Sequence, residues 1–267
     1  MKMKKRVIRA MLLLLIAAMV ASFACACAPS PSEDPEEDVG PKFVAHRGYS
    51  VSYVDNTEEA FLAAANLGFY GIETDIRKTK DGYFVCNHDA DVQYKNGTKR
   101  ISEYDLSVLL SEPLKNHKTE NDVYLCTFES YLRACKSGNK VAVIELKDYF
   151  TTQEVLKMLD VIDAEYDREM VSFISFSYPT LKSVRKADPF VDLQYLSQES
   201  GDAIFSNCLR EMISIDVSFD VLTEELVETF HDQGLTVNVW TVDNESDVET
   251  ATELGVDYIT TNVFYKR

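Results

Sequence analysis

The stretch Gly71–Asp89, GIETDIRKTKDGYFVCNHD, sets Glu73 and Asp75 two positions apart in a strand-like piece and ends a second piece on His88-Asp89. Upstream, KFVAH runs into His46-Arg47-Gly48, and downstream VAVIELK closes on Glu145-Leu146-Lys147. Side chains two apart on a strand share a face, so Glu73 pairs with Asp75 and Glu145 with Lys147. Three carboxylates aimed into one mouth repel each other, and a hard divalent cation with oxygen ligands relieves that repulsion. Two imidazoles beside it can move protons. Arg47 and Lys147 can hold an anion in an otherwise negative field. Each residue alone has a plainer reading: paired acids form a solvated strand face, His46 caps a strand end, Lys147 neutralises Glu145. The set, with its spacing, is what points to chemistry.

These groups need a scaffold that brings strand ends together. Short β-branched or apolar runs read as eight core strands: 42–46, 70–76, 141–147, 171–175, 191–196, 212–217, 235–241 and 257–261. Helical patterns lie between most of them. NTEEAFLAAANLG opens on a capping Asn56 or Thr57, carries acids in its first turn and shows Ala60, Phe61, Ala64 and Leu67 as one stripe. TEELVETFHDQG and ESDVETATELG repeat the form. Strand and helix in alternation mean parallel pairing, and eight repeats fit a closed (β/α)8 TIM barrel, whose chemistry collects at the carboxyl ends of its strands. The alternative is an open, doubly wound sheet, but no GxGxxG phosphate loop supports it.

One junction breaks the alternation. Only RKTKDG separates Ile76 from Tyr83, too few residues for a parallel crossover. YFVCNHD therefore returns antiparallel through Asp81-Gly82 as a β-hairpin. About 90–124 then reads as a small insertion with one short helix near Ser102–Leu110.

The start of the chain reads differently. Residues 1–28 carry a basic beginning, an apolar run and a small-residue exit, the form of a secretory leader. Ala24-Cys25-Ala26 suits ordinary cleavage, while Cys25 or Cys27 suits the lipid-bearing residue of an exported lipoprotein, the reading favoured here. Residues 29–41 are rich in Pro, Ser and acids, as a tether is. The expected location is outside the cytoplasm, anchored to the membrane through lipid or released. The chain carries a net charge of −17; setting aside the five basic residues of Met1–Arg9 leaves 22 basic against 44 acidic residues, a net −22. Such a surface repels nucleic acid and anionic lipid. Cys86, Cys126, Cys135 and Cys208 lack zinc-type spacing and read as buried thiols rather than disulfides.

Taken in order, AHRG, NTEEAF, GIETDIRKTKDGYFVCNHD, IELK, VWTV and GVDYITTN closely resemble the glycerophosphodiester phosphodiesterase family from Phe43 to Asn262. The resemblance implies a (β/α)8 barrel for 42–267, with an insertion after the His-Asp motif. It implies Ca2+ or Mg2+ held by Glu73, Asp75 and Glu145, an acid/base pair of His46 and His88, phosphate contacts from Arg47 and Lys147, and Trp240 lining the pocket. The implied reaction is hydrolysis of a small-molecule glycerophosphodiester to glycerol 3-phosphate and an alcohol, with His88 favoured as the acid. Val54-Asp55 replaces the family's usual Pro-Glu, and Cys126 stands where proline often precedes Thr127. Two alternatives share these residues in whole or part: a lysophospholipase D-like or sphingomyelinase D-like enzyme, and a non-catalytic phosphodiester-binding lipoprotein.

Overall fold

The computed structural model describes residues 40–266 apart from 200 and 202; the expected leader and nearly all of the expected tether lie outside them. Twelve strands are named in chain order among these residues. The barrel strands are β1 (Lys42–Ala45), β2 (Gly71–Lys78), β7 (Val141–Leu146), β8 (Val171–Ser175), β9 (Asp192–Ser197), β10 (Ser214–Ser218), β11 (Val237–Trp240) and β12 (Tyr258–Thr261). They pair in parallel in the order β1-β12-β11-β10-β9-β8-β7-β2, and β2 returns to β1, closing the ring. The eight expected core strands are all present, with ends moved by no more than two residues. Among the described residues no helix is long and apolar enough to cross a membrane.

Helices α1 (Glu58–Ala65), α3 (Phe128–Gly138), α4 (Thr152–Glu165), α5 (Tyr178–Ala187), α6 (Phe205–Glu211), α7 (Glu224–His231) and α8 (Glu245–Glu253) cover the outside of the ring. Each buries an apolar stripe against the strands, as Phe61 does from α1, Tyr131 from α3 and Phe230 from α7. The cap of α1 is Thr57, whose side chain accepts from the Ala60 amide. Asn56, the other candidate cap, is drawn away by the pocket. Inside the ring Val44, Val143, Ile174 and Leu196 form a small apolar layer beneath the mouth.

The antiparallel return is also present. β3 (Phe84–Cys86) pairs with β2 with Ile76 opposite Cys86, and β6 (Cys126–Thr127) adds to its other edge. The insertion differs from the single helix expected of it. It begins with a hairpin of β4 (Asp91–Tyr94) and β5 (Gly97–Arg100), continues through a 3-10 turn at Ile101–Glu103, and only then forms the one-turn α2 (Leu106–Leu109). Asn96-Gly97, where the two-residue loop Lys95-Asn96 runs into β5, carried that hairpin signal. Val92, Tyr94, Ile101, Leu109 and Leu114 give the insertion a core of its own, packed on Val85 of β3. Val54, where the family usually has proline, joins that cluster. The four cysteines after the leader are buried thiols, as expected.

Helices α1 and α3 come close at Gly138, where a Cβ would stand 2.4 Å from the Ala65 carbonyl oxygen. Gly138→Ala sets a helix-propensity gain of about 1 kcal/mol against an overpacking cost of about 1–3 kcal/mol. Because the obstructing atom is backbone, the cost wins. Urea unfolding of this variant is expected to show a lower midpoint with an unchanged slope.

Candidate active site

The register of β2 and β7 builds the acidic cluster. Asp75 lies directly opposite Glu145, and Glu73 is two residues back on the same face. All three point into the barrel and are 2%, 0% and 8% exposed, in the order Glu73, Asp75, Glu145. One oxygen from each lies within 4.8 Å of the others.

The loop after β1 folds against this cluster. Arg47 adopts φ +58, and its backbone N–H donates to Glu73 Oε2 at 2.8 Å. Its guanidinium Nε lies 3.1 Å from Asp75 Oδ2, and Nη1 lies 3.6 Å from Asp55. The shorter acid at position 55 thus still reaches Arg47, at long range. Gly48 follows at φ +81, where a Cβ would sit 2.7 Å from the backbone of Ala60; only glycine lets the loop lie so close to α1. Asn56, at φ +57, donates from Nδ2 to Asp75 Oδ2 at 2.7 Å and accepts from Thr74 Oγ1 at 2.8 Å. Lys147 Nζ lies 2.8 Å from Glu145 Oε1 and 3.4 Å from Asp75 Oδ1.

The hairpin delivers His88. After β3 runs back along β2, the Asn87 amide donates to the Asp75 carbonyl at 2.9 Å. Arg77 then grips the His88 carbonyl with Nε and Nη2 at 3.0 and 2.6 Å while its Nη1 holds Asp148 at 2.8 Å. His88 Nδ1 lies 2.9 Å from Asp89 Oδ1, so Asp89 orients the ring. His46, one residue past β1, has Nδ1 2.9 Å from Asn262 Oδ1.

His46, Arg47, Glu73, His88, Glu145 and Lys147 meet on the polar side of one cavity of about 260 Å³. The wall across from them is Ile174, Phe176, Leu196 and Trp240, with Gln198, Asp216 and Thr260. Trp240 lines this cavity, its ring edge-on to Phe176 with centroids 5.7 Å apart. Phe176, Gln198 and Asp216 escaped the sequence reading. Strand parity could have found them: each is an even number of residues from an inward-facing position on its strand or just beyond it.

Burial pushes the Glu73 carboxyl well above its ordinary range, and the charges of Asp75 and Glu145 push it further. Burial, and then Asp75, raise Glu145 to about 7. Burial alone would raise Asp75 too, but Arg47 and Lys147 outweigh it and hold that carboxyl below its ordinary value. Asp75 Oδ1 is nonetheless buried without a hydrogen-bond donor. The cluster thus holds more carboxylate than its cations balance, with oxygen donors only, which fits a hard divalent ion. Burial, and then Arg47, lower His46 below 6.5, so its ring is neutral near pH 7.

The sequence model of the glycerophosphoryl diester phosphodiesterase family matches residues 46–265. A glycerophosphodiester phosphodiesterase of Caldanaerobacter subterraneus is 29% identical over 225 residues, 82% of this chain and 93% of the relative. Among solved structures, a glycerophosphodiester phosphodiesterase of Parabacteroides distasonis superposes with TM-score 0.70 at 28% identity, covering 84% of this chain and 93% of that one. A phosphodiesterase of Oleispira antarctica, in complex with the product sn-glycerol-3-phosphate, shares the fold with TM-score 0.77 at 20% identity, covering 84% and 93%.

Raised carboxyl groups give the cation a pH-dependent competitor. In the metal-free protein, stability falls as pH rises from the ordinary carboxylate range through about 7, because Glu73 and Glu145 must ionise while crowded. A bound cation recovers that loss. Thermal melts with CaCl2 or MgCl2 are expected to show a larger metal-induced rise in Tm at pH 8 than at pH 5.5. Equal rises at both would separate the ion from these carboxylates.

Proposed function

The chain belongs to the glycerophosphoryl diester phosphodiesterase family and is a phosphodiesterase of glycerophosphodiesters; we propose that it releases glycerol 3-phosphate and an alcohol using His46 as base and His88 as acid. The observation that carries this reading is the convergence of His46, His88, Glu73, Glu145, Arg47 and Lys147 on one cavity, with Asp75 buried in the same acidic cluster. The relatives' names point to the same substrate class.

Glu73, Asp75 and Glu145 would hold the divalent ion, Ca2+ or Mg2+, through oxygen ligands. When bound there, such an ion supplies Lewis-acid charge to a phosphoryl oxygen and makes a neighbouring hydroxyl more acidic. Arg47 and Lys147 place two more cationic groups along the same wall, where they would hold the remaining phosphoryl oxygen. The neutral His46 would accept the proton of the nucleophile, whether water or the adjacent glycerol hydroxyl. His88, oriented through Nδ1 by Asp89, would donate from Nε2 to the departing alkoxide. The apolar wall of Ile174, Leu196 and Trp240 would pack the carbon skeleton and exclude water.

That wall also supports a second reading, in which the same groups cleave lysophospholipids. Phe176 continues it to the rim, 42% exposed, where an acyl chain could lie. The basic and apolar leader supports export, with the domain tethered outside the membrane or released.

Glycerophosphocholine incubated with the purified protein is expected to be cleaved in CaCl2 or MgCl2 and spared in EDTA. Binding without turnover would favour a capture protein instead, and faster cleavage of lysophosphatidylcholine would favour the second reading. His46→Ala and His88→Ala should each lower kcat by about 10²-fold or more while keeping the metal-induced rise in Tm. Glu73→Gln and Glu145→Gln should lose both.

A further inference from the structure

Behind His46 runs a chain of hydrogen bonds away from the reacting side of its ring. Asn262, one residue past β12, presents Oδ1 at 2.9 Å from His46 Nδ1. An amide can be placed either way round, and its orientation decides what it asks of its neighbour. Here Asp243, beyond β11, decides it. Asp243 Oδ2 lies 2.6 Å from Asn262 Nδ2, and Oδ1 accepts from the Asn262 backbone N–H at 2.8 Å and from Thr261 Oγ1 at 3.0 Å. An ionised carboxylate accepts only, so the amide NH2 must face Asp243 and the carbonyl oxygen must face His46. His46 must then donate from Nδ1, and the lone pair of its neutral ring sits on Nε2. Ser50 Oγ lies 2.7 Å from the same Asn262 oxygen and 2.9 Å from the His46 carbonyl, which ties the strand end to the amide.

We infer that Asn262 and Asp243 are positioning residues: together they hold His46 as the Nδ1–H tautomer, with Nε2 open to take the proton of the nucleophile. The inference rests on the reading of His46 as the base. It also gives a reason for an amide at 262. A carboxylate touching Nδ1 would favour the imidazolium, a poorer base near pH 7. A neutral amide also pulls the ring toward its charged form, but burial and Arg47 outweigh that pull and the ring stays neutral. The other charged groups that act on His46 are Arg47, Asp75 and Asp243. Asp243 is kept from direct contact by the amide between them.

Three measurements test this. Nitrogen-15 NMR of the wild-type histidines, with His46 assigned by its loss in His46→Ala, is expected to show the proton on Nδ1 at pH 8; a proton on Nε2 would overturn the inference without any variant of the clamp. Asp243→Asn, which lets the amide turn either way, should lower kcat for glycerophosphocholine roughly tenfold or more with little change in KM and with the metal-induced rise in Tm retained. The double exchange Asp243→Asn with Asn262→Asp puts a carboxylate on Nδ1 and an amide donor behind it. It should regain kcat at high pH and move the acidic limb of the kcat/KM profile upward by about one pH unit. An unchanged kcat in Asp243→Asn, or an acidic limb that stays in place in a folded double variant, would overturn the inference. If wild-type protein cleaved no glycerophosphodiester at all, the proposed function would fail instead, and the NMR result would still decide the tautomer.

Discussion

Glu73, Asp75 and Glu145 can bring three negative charges into a space from which water is largely excluded, and the polar contacts around the mouth follow from that crowding. Charge of one sign in a low-dielectric interior is costly unless it is neutralised or protonated. The protein balances it unevenly. Asp75 receives Arg47, Lys147 and the Asn56 amide and is held ionised. Glu73 receives one backbone N–H and Glu145 one lysine, and both are pushed toward the protonated form. A divalent cation would complete what the two basic side chains leave undone. This imbalance is the physical reason to treat the cluster as a metal site rather than a structural ion-pair network.

The backbone around the cluster is bent to serve it. Two of the four non-glycine residues with positive φ among the described residues, Arg47 and Asn56, flank the pocket. Each buries a polar contact to Glu73 or Asp75 that a regular turn would not make. Such conformations cost of order 1–3 kcal/mol each and persist where surrounding contacts determine them. Here those contacts are the acids, so the β1–α1 loop and the acidic cluster specify each other.

The insertion acts on the same region from outside. Its core continues into Val85 of β3 and takes in Val54 from the β1–α1 loop. Lys118 from its tip donates to the Ser50 carbonyl. An apolar residue at position 54 therefore suits this chain, since it packs against a cluster that the insertion brings to it. The hairpin that carries His88 is thereby buttressed on the face turned away from the barrel.

Much of this was legible in the sequence. Periodicity and turn residues marked the eight parallel strands, and the short RKTKDG segment required β3 to return antiparallel. Spacing put Glu73 with Asp75 and Glu145 with Lys147, because strand geometry has a period of two that no tertiary context alters. Three things needed the folded chain. Sequence could not tell that Asn56 would leave the helix cap to Thr57 and turn to Asp75, because both positions suit a cap and only the buried carboxylate breaks the tie. It could not foresee the partners of His46, since Asn262 and Asp243 lie more than 190 residues away in sequence and meet it only when β12 closes against β1. Nor could it reveal how unequally the three acids are balanced, since that depends on burial and on angstrom-scale approach of charges. Local pattern determines which faces are presented; closure of the barrel determines which groups touch.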